Sequence, residues 1–362
     1  MLVGLKQLYP QAKVAALGGK SLNTAGAQVL FDLTAFSVVG LMEVLKNYRF
    51  FKDLFDKIFA WIKEYQPRHI CFIDYPGFNL RLAKRLFKAG LTCQSGGPIG
   101  TLYYISPQIW AWKGKRRFKM ARWLDALGVI FPFEVDFFKD TSLAVTFVGH
   151  PFAEEGFQLP VVYNVKAPLL LLPGSRCAAV ARIFPIMLAA FECLLKKRPD
   201  EQALVLYPST EVYELLKKLI AKRPHLKGRV KLVSDGDPIA GKAVLTSSGT
   251  MSLACALAGI PGAIVYRAHP LTYIFGRLLV KVPFLGIANL ILENAIYPEF
   301  IQGRAKAKRL AAEISTSIDS IDRVNMTRQA SDQLQAKLSQ GETISAASWL
   351  YQHVFKDGLK TH

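Results

Sequence analysis

Cysteine and histidine are scarce in this sequence of 362 residues, which contains five of the first and six of the second. The cysteines are Cys71, Cys93, Cys177, Cys193 and Cys255. None of them forms a Cys-x-x-Cys pair, and neither residue type shows the spacing typical of metal ligands. Isolated cysteines indicate reduced thiols in a cytoplasmic protein, so we predict no disulfide framework and no metal site.

Several long or diagnostic patterns are also missing. No apolar run approaches 18 residues, and no secretory signal pattern appears at the start, so we predict no transmembrane helix. The G-x-x-x-x-G-K-[ST] loop and the G-x-S-x-G elbow are both absent. The sequence therefore contains no Walker A loop, and no nucleophile elbow supports a Ser-His-Asp triad, although the order of the residues allows one.

Acidic residues are outnumbered, with 27 Asp and Glu against 46 Lys and Arg and a formal net charge of +19. This excess indicates an anionic partner such as nucleic acid, anionic lipid or a phosphorylated substrate. A generally basic soluble protein is the alternative. The basic residues are spread over several segments without a recognised nucleic-acid module, so we predict no nucleic-acid partner.

Apolar runs typical of buried strands alternate with helical patterns along most of the chain. The runs cover 12–19, 69–74, 101–106, 126–133, 145–150, 168–175, 202–208, 230–235, 242–247 and 262–267. Such alternation predicts an α/β fold with parallel sheets, in two doubly wound, Rossmann-like domains that face a central cleft. The predicted domains are 1–152 and 160–335, with a linker in 151–167. A C-terminal helix in 336–362 could pack back on the first domain.

Asp74 stands at the end of a predicted strand in FIDYPGFNLRLAKRL (72–86). A carboxylate at the carboxyl end of a buried strand can face the cleft and act as a general base. A turn-forming or helix-capping aspartate is an equal alternative.

A basic and aromatic segment, YYISPQIWAWKGKRRFKMARW (103–123), follows the next predicted strand. It places Trp110 and Trp112 beside a run of cations that begins at Lys113 and includes Arg116. Aromatic rings interleaved with cations suit stacking on a base, on a sugar face or near a lipid headgroup. A solvated basic helix with packed tryptophans is the alternative.

Two turns in the second half are of the kind that holds phosphate. LLPGSR (171–176) places Arg176 beyond a strand end, where its forked guanidinium can clamp a pyrophosphate. SSGTMSLACAL (247–257) places a Ser-Gly-Thr turn before an apolar helix, whose free N–H groups and dipole favour an anion. Together the two turns predict a phosphate-binding site in the second domain.

Two apolar segments with basic residues, 36–62 and 269–286, suit the interface of a bilayer with anionic lipids. A helix packed in a core shows a similar apolar stripe. With the net positive charge, they favour peripheral membrane contact. His150, which precedes Pro151, could donate to a phosphate or sugar group or be a structural histidine.

Taken together, these stretches resemble the lipid-A-disaccharide synthases, a family of inverting glycosyltransferases. The matching stretches, in order, are FSVVGLMEVL, IDYPGFN, YYISPQIWAWKGKRRFK, FPFE, FVGHP, LLPGSR, SSGTMSL, YRAHPLTYIFGRLLVKVP, IANLIL and YPEFIQ. They span about residues 1–302. The order of SPQIWAW, LPGSR and SGT is specific to that family, although each motif alone is not.

The resemblance implies a GT-B fold and transfer of 2,3-diacylglucosamine from its UDP derivative to 2,3-diacylglucosamine 1-phosphate. The implied products are lipid A disaccharide 1-phosphate and UDP. It also implies no bound metal or cofactor, and a peripheral place on the cytoplasmic face of the inner membrane.

The resemblance also assigns roles by matching motif. Asp74 is the implied catalytic base. The implied donor-side residues, which hold UDP, are Arg176, Ser248, Gly249, Thr250, Asn289 and Glu299. We predict the acceptor or lipid side at Ser106, Trp110, Trp112, Lys113, Arg116 and His150.

Two departures from the family pattern keep alternatives open. The first strand and Gly-Glu-x-Ser-Gly-Asp loop of the family would precede Met1, and a misplaced start codon is the expected explanation. Ala254 stands where the family usually has a glutamate suited to accepting ribose hydroxyls, and Glu293, further along the chain, is a candidate substitute for it. The alternatives are a catalytically impaired nucleotide- or lipid-binding relative and a GT-B enzyme acting on another UDP-sugar. The sequence leaves the oligomeric state open, a homodimer included.

Overall fold

Parallel strands and flanking helices form both halves of the chain in a computed structural model. The structure describes residues 1–32, 48–154, 156–234, 236–269, 273, 276, 280, 282–339 and 344–356. The chain divides into two compact units. The first comprises Met1–Pro151 and Leu338–His362, and the second comprises Phe152–Lys337.

The first unit alternates strands with helices along most of its length. Its described elements before the second unit are α1 (Leu2–Leu8), β1 (Ala15–Leu17), α2 (Lys20–Thr24), β2 (Gln28–Phe31), α3 (Tyr48–Tyr65), β3 (His69–Ile73), α4 (Pro76–Lys88), β4 (Gly100–Tyr104), α5 (Arg116–Trp123), β5 (Ala126–Val129), α6 (Phe133–Phe138) and β6 (Ala144–Phe147).

The larger sheet of the first unit has four parallel strands in the order β3-β4-β5-β6. Ile73 pairs with Tyr104, and Tyr104 pairs with Gly128, so these strands end at one edge of the sheet. β1 and β2 form a separate parallel pair. Because the strands are parallel, the loops that follow them leave from the same edge.

Helix α3 covers this sheet with an apolar face. Leu54, Ile58 and Ile62 recur every four residues along it and are buried in the core of the unit. The apolar stripe of the described part of 36–62 is therefore a core face. Residues 33–47, which include the start of that predicted membrane-facing segment, lie outside the described residues.

The C-terminal helix α13 (Ala346–Tyr351), which continues as a π-helix over Gln352–Lys356, packs against the first unit. Trp349 is 1% exposed, and a Cβ atom added at Gly128 would lie 3.3 Å from its ring. Glycine on β5 therefore leaves room for the indole. Tyr9, just after α1, contacts Phe355 with ring centroids 4.2 Å apart.

The second unit repeats the alternation of strands and helices. Its described elements are β7 (Val161–Tyr163), β8 (Leu169–Leu172), α7 (Cys177–Leu195), β9 (Ala203–Tyr207), α8 (Thr210–Ala221), β10 (Val230–Ser234), β11 (Ile239–Gly241), β12 (Val244–Thr246), α9 (Thr250–Leu257), β13 (Gly262–Tyr266), α10 (Ile287–Leu292), β14 (Glu299–Ile301), α11 (Ala307–Asp319) and α12 (Ile321–Ser339), whose last two residues belong to the first unit.

The main sheet of the second unit has six strands in the order β10-β9-β8-β12-β13-β14. All of its strand pairs are parallel, and Thr246 on β12 pairs with Leu172 on β8. Successive strands from β8 proceed to one side, and those from β12 proceed to the other. The strand order therefore reverses between β8 and β12, which is the switch point where open α/β sheets bind ligands at their carboxyl ends.

Among the described helices, α7 alone is long and apolar enough to cross a membrane. Its residues Val180, Ile183, Phe184 and Met187 are buried in the core of the second unit. Because its apolar side chains cover the sheet of the unit, length and composition alone do not make it a membrane span.

The prediction of parallel α/β sheets is confirmed. The region 151–167, predicted to be a linker, contains β7, which pairs with β11 in a small parallel sheet. A strand of three residues is too short for its pattern of apolar residues to distinguish it from a loop.

Candidate active-site residues

Asp74 follows β3 directly and occupies the left-handed backbone region with φ 43°, as does Tyr75 with φ 44°. Its carbonyl oxygen accepts hydrogen bonds from the Tyr103 hydroxyl at 2.6 Å and from Asn79 Nδ2 at 2.8 Å. Its N–H donates to the carbonyl oxygen of Tyr104 at 3.0 Å. All three bonds use backbone atoms of Asp74, so they fix the strained turn and leave the exposed carboxylate to other partners.

Tyr103 and Arg116 lie within electrostatic reach of this turn. Burial raises the pKa of Tyr103 well above its usual range, and the Asp74 carboxylate raises it further, while the Arg116 guanidinium opposes both effects. The phenol therefore stays protonated and donates to Asp74. Arg116, in the first position of α5, adds a cation at the same edge of the sheet.

The segment after β4 brings part of the predicted acceptor side together. Ser106 is buried and its hydroxyl donates to the carbonyl oxygen of Pro107 at 3.2 Å, so it supports the loop from inside. Trp112 is 48% exposed, and Lys113 Nζ lies 3.8 Å from the centroid of its ring. Trp112 and Lys113 are both exposed, with the geometry of a cation–π pair.

Trp110, by contrast, faces inward. Its Nε1 donates to Glu134 Oε1 at 3.2 Å, and its ring meets Phe133 edge-on with centroids 5.1 Å apart. The structure supports a packed role for this tryptophan, the alternative that the sequence left open.

His150 is 5% exposed, and its ring stacks on Phe131 with centroids 5.5 Å apart. Burial lowers the pKa of His150 to about 4, so the imidazole is neutral near pH 7. Of the two interpretations of His150, the structural one fits this burial better than direct contact with substrate.

Glu134 is a residue of this edge that the site prediction missed. It is 1% exposed, and its Oε2 accepts a hydrogen bond from the backbone N–H of Phe131 at 3.1 Å. Burial raises the pKa of Glu134 to about 8, and its hydrogen bonds to Phe131 and Trp110 moderate the rise. The only signal in the sequence is an acidic residue inside the apolar stretch FPFE (131–134).

The free energy of unfolding is expected to decrease as the pH rises, because Glu134 loses its proton. Its folded pKa of about 8 lies above the ordinary value of 4.5, so the folded state binds the proton more tightly. That contribution is fully present below pH 4.5 and is lost as the pH rises to about 8. Over this pH range, the free energy of unfolding of the unchanged protein should decrease, relative to that of Glu134→Gln, by at most about 1.4 kcal/mol per pH unit.

Urea unfolding of both proteins at pH 5 and pH 8 measures this effect. His150, whose lowered pKa contributes with the opposite sign between about pH 4 and 6.5, is present in both proteins and cancels. A difference in unfolding free energy that is the same at both pH values would contradict the prediction.

On the donor side, Arg176 lies at the switch point of the second unit. It is the exposed N-cap of α7, after the turn that follows β8. Gly174 in that turn has φ 107°, and a Cβ atom added there would lie 3.1 Å from Ser247 Oγ. Glycine thus allows the turns after β8 and β12 to approach closely.

The turn after β12 leads directly into α9, whose N-cap is Gly249 and whose first turn has no acidic residue. Gly249 and Thr250 are exposed, and Ser248 is half-buried. The buried Ser252 hydroxyl donates to the carbonyl oxygen of Gly249 at 2.7 Å. The first N–H groups of α9 have no acceptor within the helix, and the helix begins with a glycine N-cap and no acidic side chain. Such a helix start favours the binding of an anion.

Ala254, where a ribose-binding carboxylate was expected from the family pattern, is fully buried in α9. Glu293, directly after α10, is exposed and has φ 54°. The second turn of α9 therefore packs into the core, and the described contacts identify no residue of that turn that would bind a ribose.

Asn289 and Glu299 bond each other, with Asn289 Nδ2 3.0 Å from Glu299 Oε1. The same Glu299 oxygen accepts from the backbone N–H groups of Leu285 at 3.0 Å and Gly286 at 2.9 Å. Asn289 also exchanges two hydrogen bonds with the backbone of Tyr297 and is fully buried. These two residues therefore hold the start of α10, and burial keeps Asn289 from touching a ligand itself.

Replacing Glu299 with glutamine is expected to lower the free energy of unfolding by about 1–3 kcal/mol. Glutamine has one acceptor oxygen, and its NH2 group would take the place of Oε2, so the N–H of Leu285 would lose one of its two acceptors and face a donor. Thermal and urea unfolding measure the change. Glu214→Gln, at an exposed position of α8, is the matched control and should leave stability unchanged. Equal stability of the two variants would contradict this role.

A family model described as Lipid-A-disaccharide synthetase matches residues 1–354. The lipid-A-disaccharide synthase of Geobacter metallireducens is 34% identical over 353 residues, which cover 92% of this chain and 88% of the relative. That of Nitrosococcus oceani is 33% identical over 352 residues, covering 93% and 87%.

Solved structures with the same fold include a UDP-N-acetylglucosamine 2-epimerase from Listeria monocytogenes, with a TM-score of 0.60 and 12% identity over 98% of this chain and 92% of that one. A UDP co-structure of MnaA from S. aureus has a TM-score of 0.57 and 12% identity, covering 100% and 94%. The calicheamicin glycosyltransferase CalG4 has a TM-score of 0.53 and 13% identity, covering 98% and 94%. At these identities the similarity shows the fold, which is of the GT-B type with two Rossmann-like units.

Proposed function

Because the chain belongs to the lipid-A-disaccharide synthetase family, we propose that its second unit holds the UDP part of a sugar donor and its first unit holds a lipid acceptor. The chain is a glycosyltransferase that forms the lipid A disaccharide. The observation that carries this function is the family match over residues 1–354. Its substrates are a UDP-sugar and a lipid phosphate, which we propose to be UDP-2,3-diacylglucosamine and 2,3-diacylglucosamine 1-phosphate.

The donor diphosphate is assigned to the switch point of the second unit. Arg176 offers a planar guanidinium with paired donors, the geometry that binds phosphate oxygens in a bidentate manner. Ser248, Gly249 and Thr250 begin the neighbouring helix and add hydroxyl and N–H donors. Both groups follow adjacent strands, which supports a shared ligand. Asn289 and Glu299 support this donor side by holding the start of α10.

The acceptor is assigned to the edge of the first unit's sheet. Trp112 offers an exposed ring face to a sugar, and Lys113 and Arg116 offer charges to its phosphate. The exposed carboxylate of Asp74 stands in the turn that the Tyr103 hydroxyl holds, and Arg116 also lies within electrostatic reach of Tyr103. A base, an exposed aromatic ring and two cations at the same edge of the sheet suit an acceptor that carries both a hydroxyl and a phosphate.

In the proposed mechanism, Asp74 takes the proton of the acceptor 6-hydroxyl as the oxygen of that hydroxyl attacks C1 of the donor sugar. The bond between C1 and the UDP oxygen breaks, and UDP leaves with the electron pair. Arg176 and the N–H groups at the start of α9 stabilise the charge that develops on the diphosphate. A single displacement inverts the configuration at C1 and gives the β-1,6 linkage.

Peripheral association with the cytoplasmic face of the inner membrane accompanies this function in our proposal, and a homodimer is compatible with it. Acylated substrates are held in a lipid surface, and a net charge of +19 favours anionic headgroups. Half of the second predicted membrane-facing segment, 269–286, lies outside the described residues, namely 270–272, 274–275, 277–279 and 281, so that Arg277 and Lys281 are among them.

A substrate profile tests the proposed function against another UDP-sugar activity. We expect turnover of UDP-2,3-diacylglucosamine with 2,3-diacylglucosamine 1-phosphate, and none of UDP-N-acetylglucosamine with or without an acceptor. Conversion of UDP-N-acetylglucosamine to an epimer, with no consumption of the acylated pair, would contradict the proposal.

A further inference from the structure

One buried carboxylate joins two loops of the first unit. Glu134 lies in the first turn of α6, after β5, and its two oxygens accept from Trp110 Nε1 at 3.2 Å and from Phe131 N at 3.1 Å. Trp110 belongs to the segment after β4, 24 residues earlier in the chain. The hydrogen bond is therefore a tertiary link between the loops of neighbouring strands.

Aromatic rings extend this link to a third loop. Trp110 meets Phe133 with centroids 5.1 Å apart, and Phe133 lies parallel to Phe131 at 5.7 Å. Phe131 in turn stacks on His150, which follows β6, at 5.5 Å. We call Trp110, Phe131, Phe133, Glu134 and His150 the strand-end cluster. It connects the loops after three consecutive strands at the edge that carries the acceptor side.

Burying a carboxyl group in a core is less favourable than burying an apolar side chain, because desolvation disfavours the charged form. An apolar residue would pack in the same volume, but it would leave the Trp110 indole and the Phe131 N–H without an acceptor. The hydrogen bond from Trp110 to Glu134 therefore fixes the orientation of the Trp110 ring, although an apolar side chain would be more favourable to bury. Trp112 and Lys113 follow two and three residues further on, and the backbone N–H groups of both donate to the carbonyl oxygen of Ile109, which directly precedes Trp110.

We propose that Glu134 is a positioning residue for acceptor binding, which holds the Trp110 indole and thereby fixes Trp112 and Lys113 against the acceptor sugar and its phosphate. This inference rests on the proposed function of the segment after β4. Glu134 is too buried to touch a substrate, so it acts only through Trp110.

Four variants test the proposal: Glu134→Leu, Glu134→Gln, Trp110→Phe and the double variant Glu134→Leu with Trp110→Phe. We expect Glu134→Leu and Trp110→Phe each to raise the KM for 2,3-diacylglucosamine 1-phosphate by up to about tenfold, the effect of one lost hydrogen bond. The KM for the UDP-sugar and kcat should change less than about twofold. The double variant should be no worse than either single one, because both remove the same bond.

Glu134→Gln should raise the acceptor KM less than Glu134→Leu, since glutamine keeps an oxygen for the Trp110 N–H. Asp125→Asn is the matched control. Asp125 lies directly before β5, at the end of the sheet opposite to the loop that carries Trp110. It accepts hydrogen bonds from Thr101 N at 2.6 Å and from Gln94 Nε2 at 3.0 Å. It should lower the melting temperature and leave the acceptor KM unchanged.

Calorimetric binding of 2,3-diacylglucosamine 1-phosphate to each folded variant gives the same comparison without turnover. If Glu134→Leu does not fold, Trp110→Phe and Glu134→Gln still give it. Unchanged acceptor affinity in Trp110→Phe and Glu134→Gln, or an equal loss in Asp125→Asn, would overturn the proposal. Acceptor binding with no turnover by the unchanged chain would contradict the proposed function and leave this comparison valid.

Discussion

Replacing Asp74 with asparagine is expected to lower kcat by about 10²–10⁴-fold, the usual effect of removing a general base. An amide of the same shape cannot take the proton of the acceptor hydroxyl. The backbone of this turn is held by Tyr103 and Asn79 through bonds that do not involve the carboxylate. The variant should therefore fold normally, and initial rates of UDP release at saturating substrates measure its loss of activity.

Two comparisons separate a lost base from a damaged unit. Asp136→Asn, at an exposed position of α6, should keep the unchanged rate. Calorimetric binding of UDP should be the same in Asp74→Asn and in the unchanged protein, because the donor is held by the second unit. An Asp74→Asn variant that retains more than about half of kcat would remove Asp74 from the chemistry.

Replacing Arg176 with alanine is expected to raise the KM for the UDP-sugar about 10- to 100-fold, as hydrogen bonds to charged groups contribute about 1.5–3 kcal/mol. Arg176 is exposed at the start of α7, so its truncation removes a ligand contact without opening a cavity. Arg176→Lys keeps the charge and loses the planar fork, so its effect should be intermediate. Because charge develops on the leaving diphosphate, kcat should fall as well.

Arg182, exposed on the same helix, provides the control for a general loss of positive charge. Arg182→Ala should leave the KM for the donor and the binding of UDP within about twofold of the unchanged protein. Equal effects of the two alanine variants would show that net charge, rather than a contact at residue 176, attracts the donor.

The places of Asp74, Arg176 and the Ser-Gly-Thr turn could be predicted from the sequence because each follows an apolar strand. In a parallel sheet, such positions share one edge whatever the packing of the helices. The order of the strands could not be predicted in the same way. The adjacency of β8 and β12, which brings the two phosphate-type turns side by side, depends on contacts between residues far apart in the chain.

Burial was the property that sequence patterns predicted least well. Glu134 and Asn289 are polar residues inside the protein, each paired with groups from another segment. A motif indicates that such a residue belongs to a site, but it does not tell whether the side chain touches the ligand or holds a neighbour that does. Likewise, the left-handed turn at Asp74 is stabilised by a hydrogen bond from the Tyr103 hydroxyl, which lies on the next strand.

Mass spectrometry of a single reaction mixture tests the assigned function most directly. The chain is incubated with UDP-2,3-diacylglucosamine and 2,3-diacylglucosamine 1-phosphate, and UDP is quantified in the same sample. We predict a tetraacylated disaccharide 1-phosphate and UDP in equal amounts, with neither formed by Asp74→Asn at a comparable rate. Release of UDP without a disaccharide, or a disaccharide formed equally well by Asp74→Asn, would contradict the assigned mechanism.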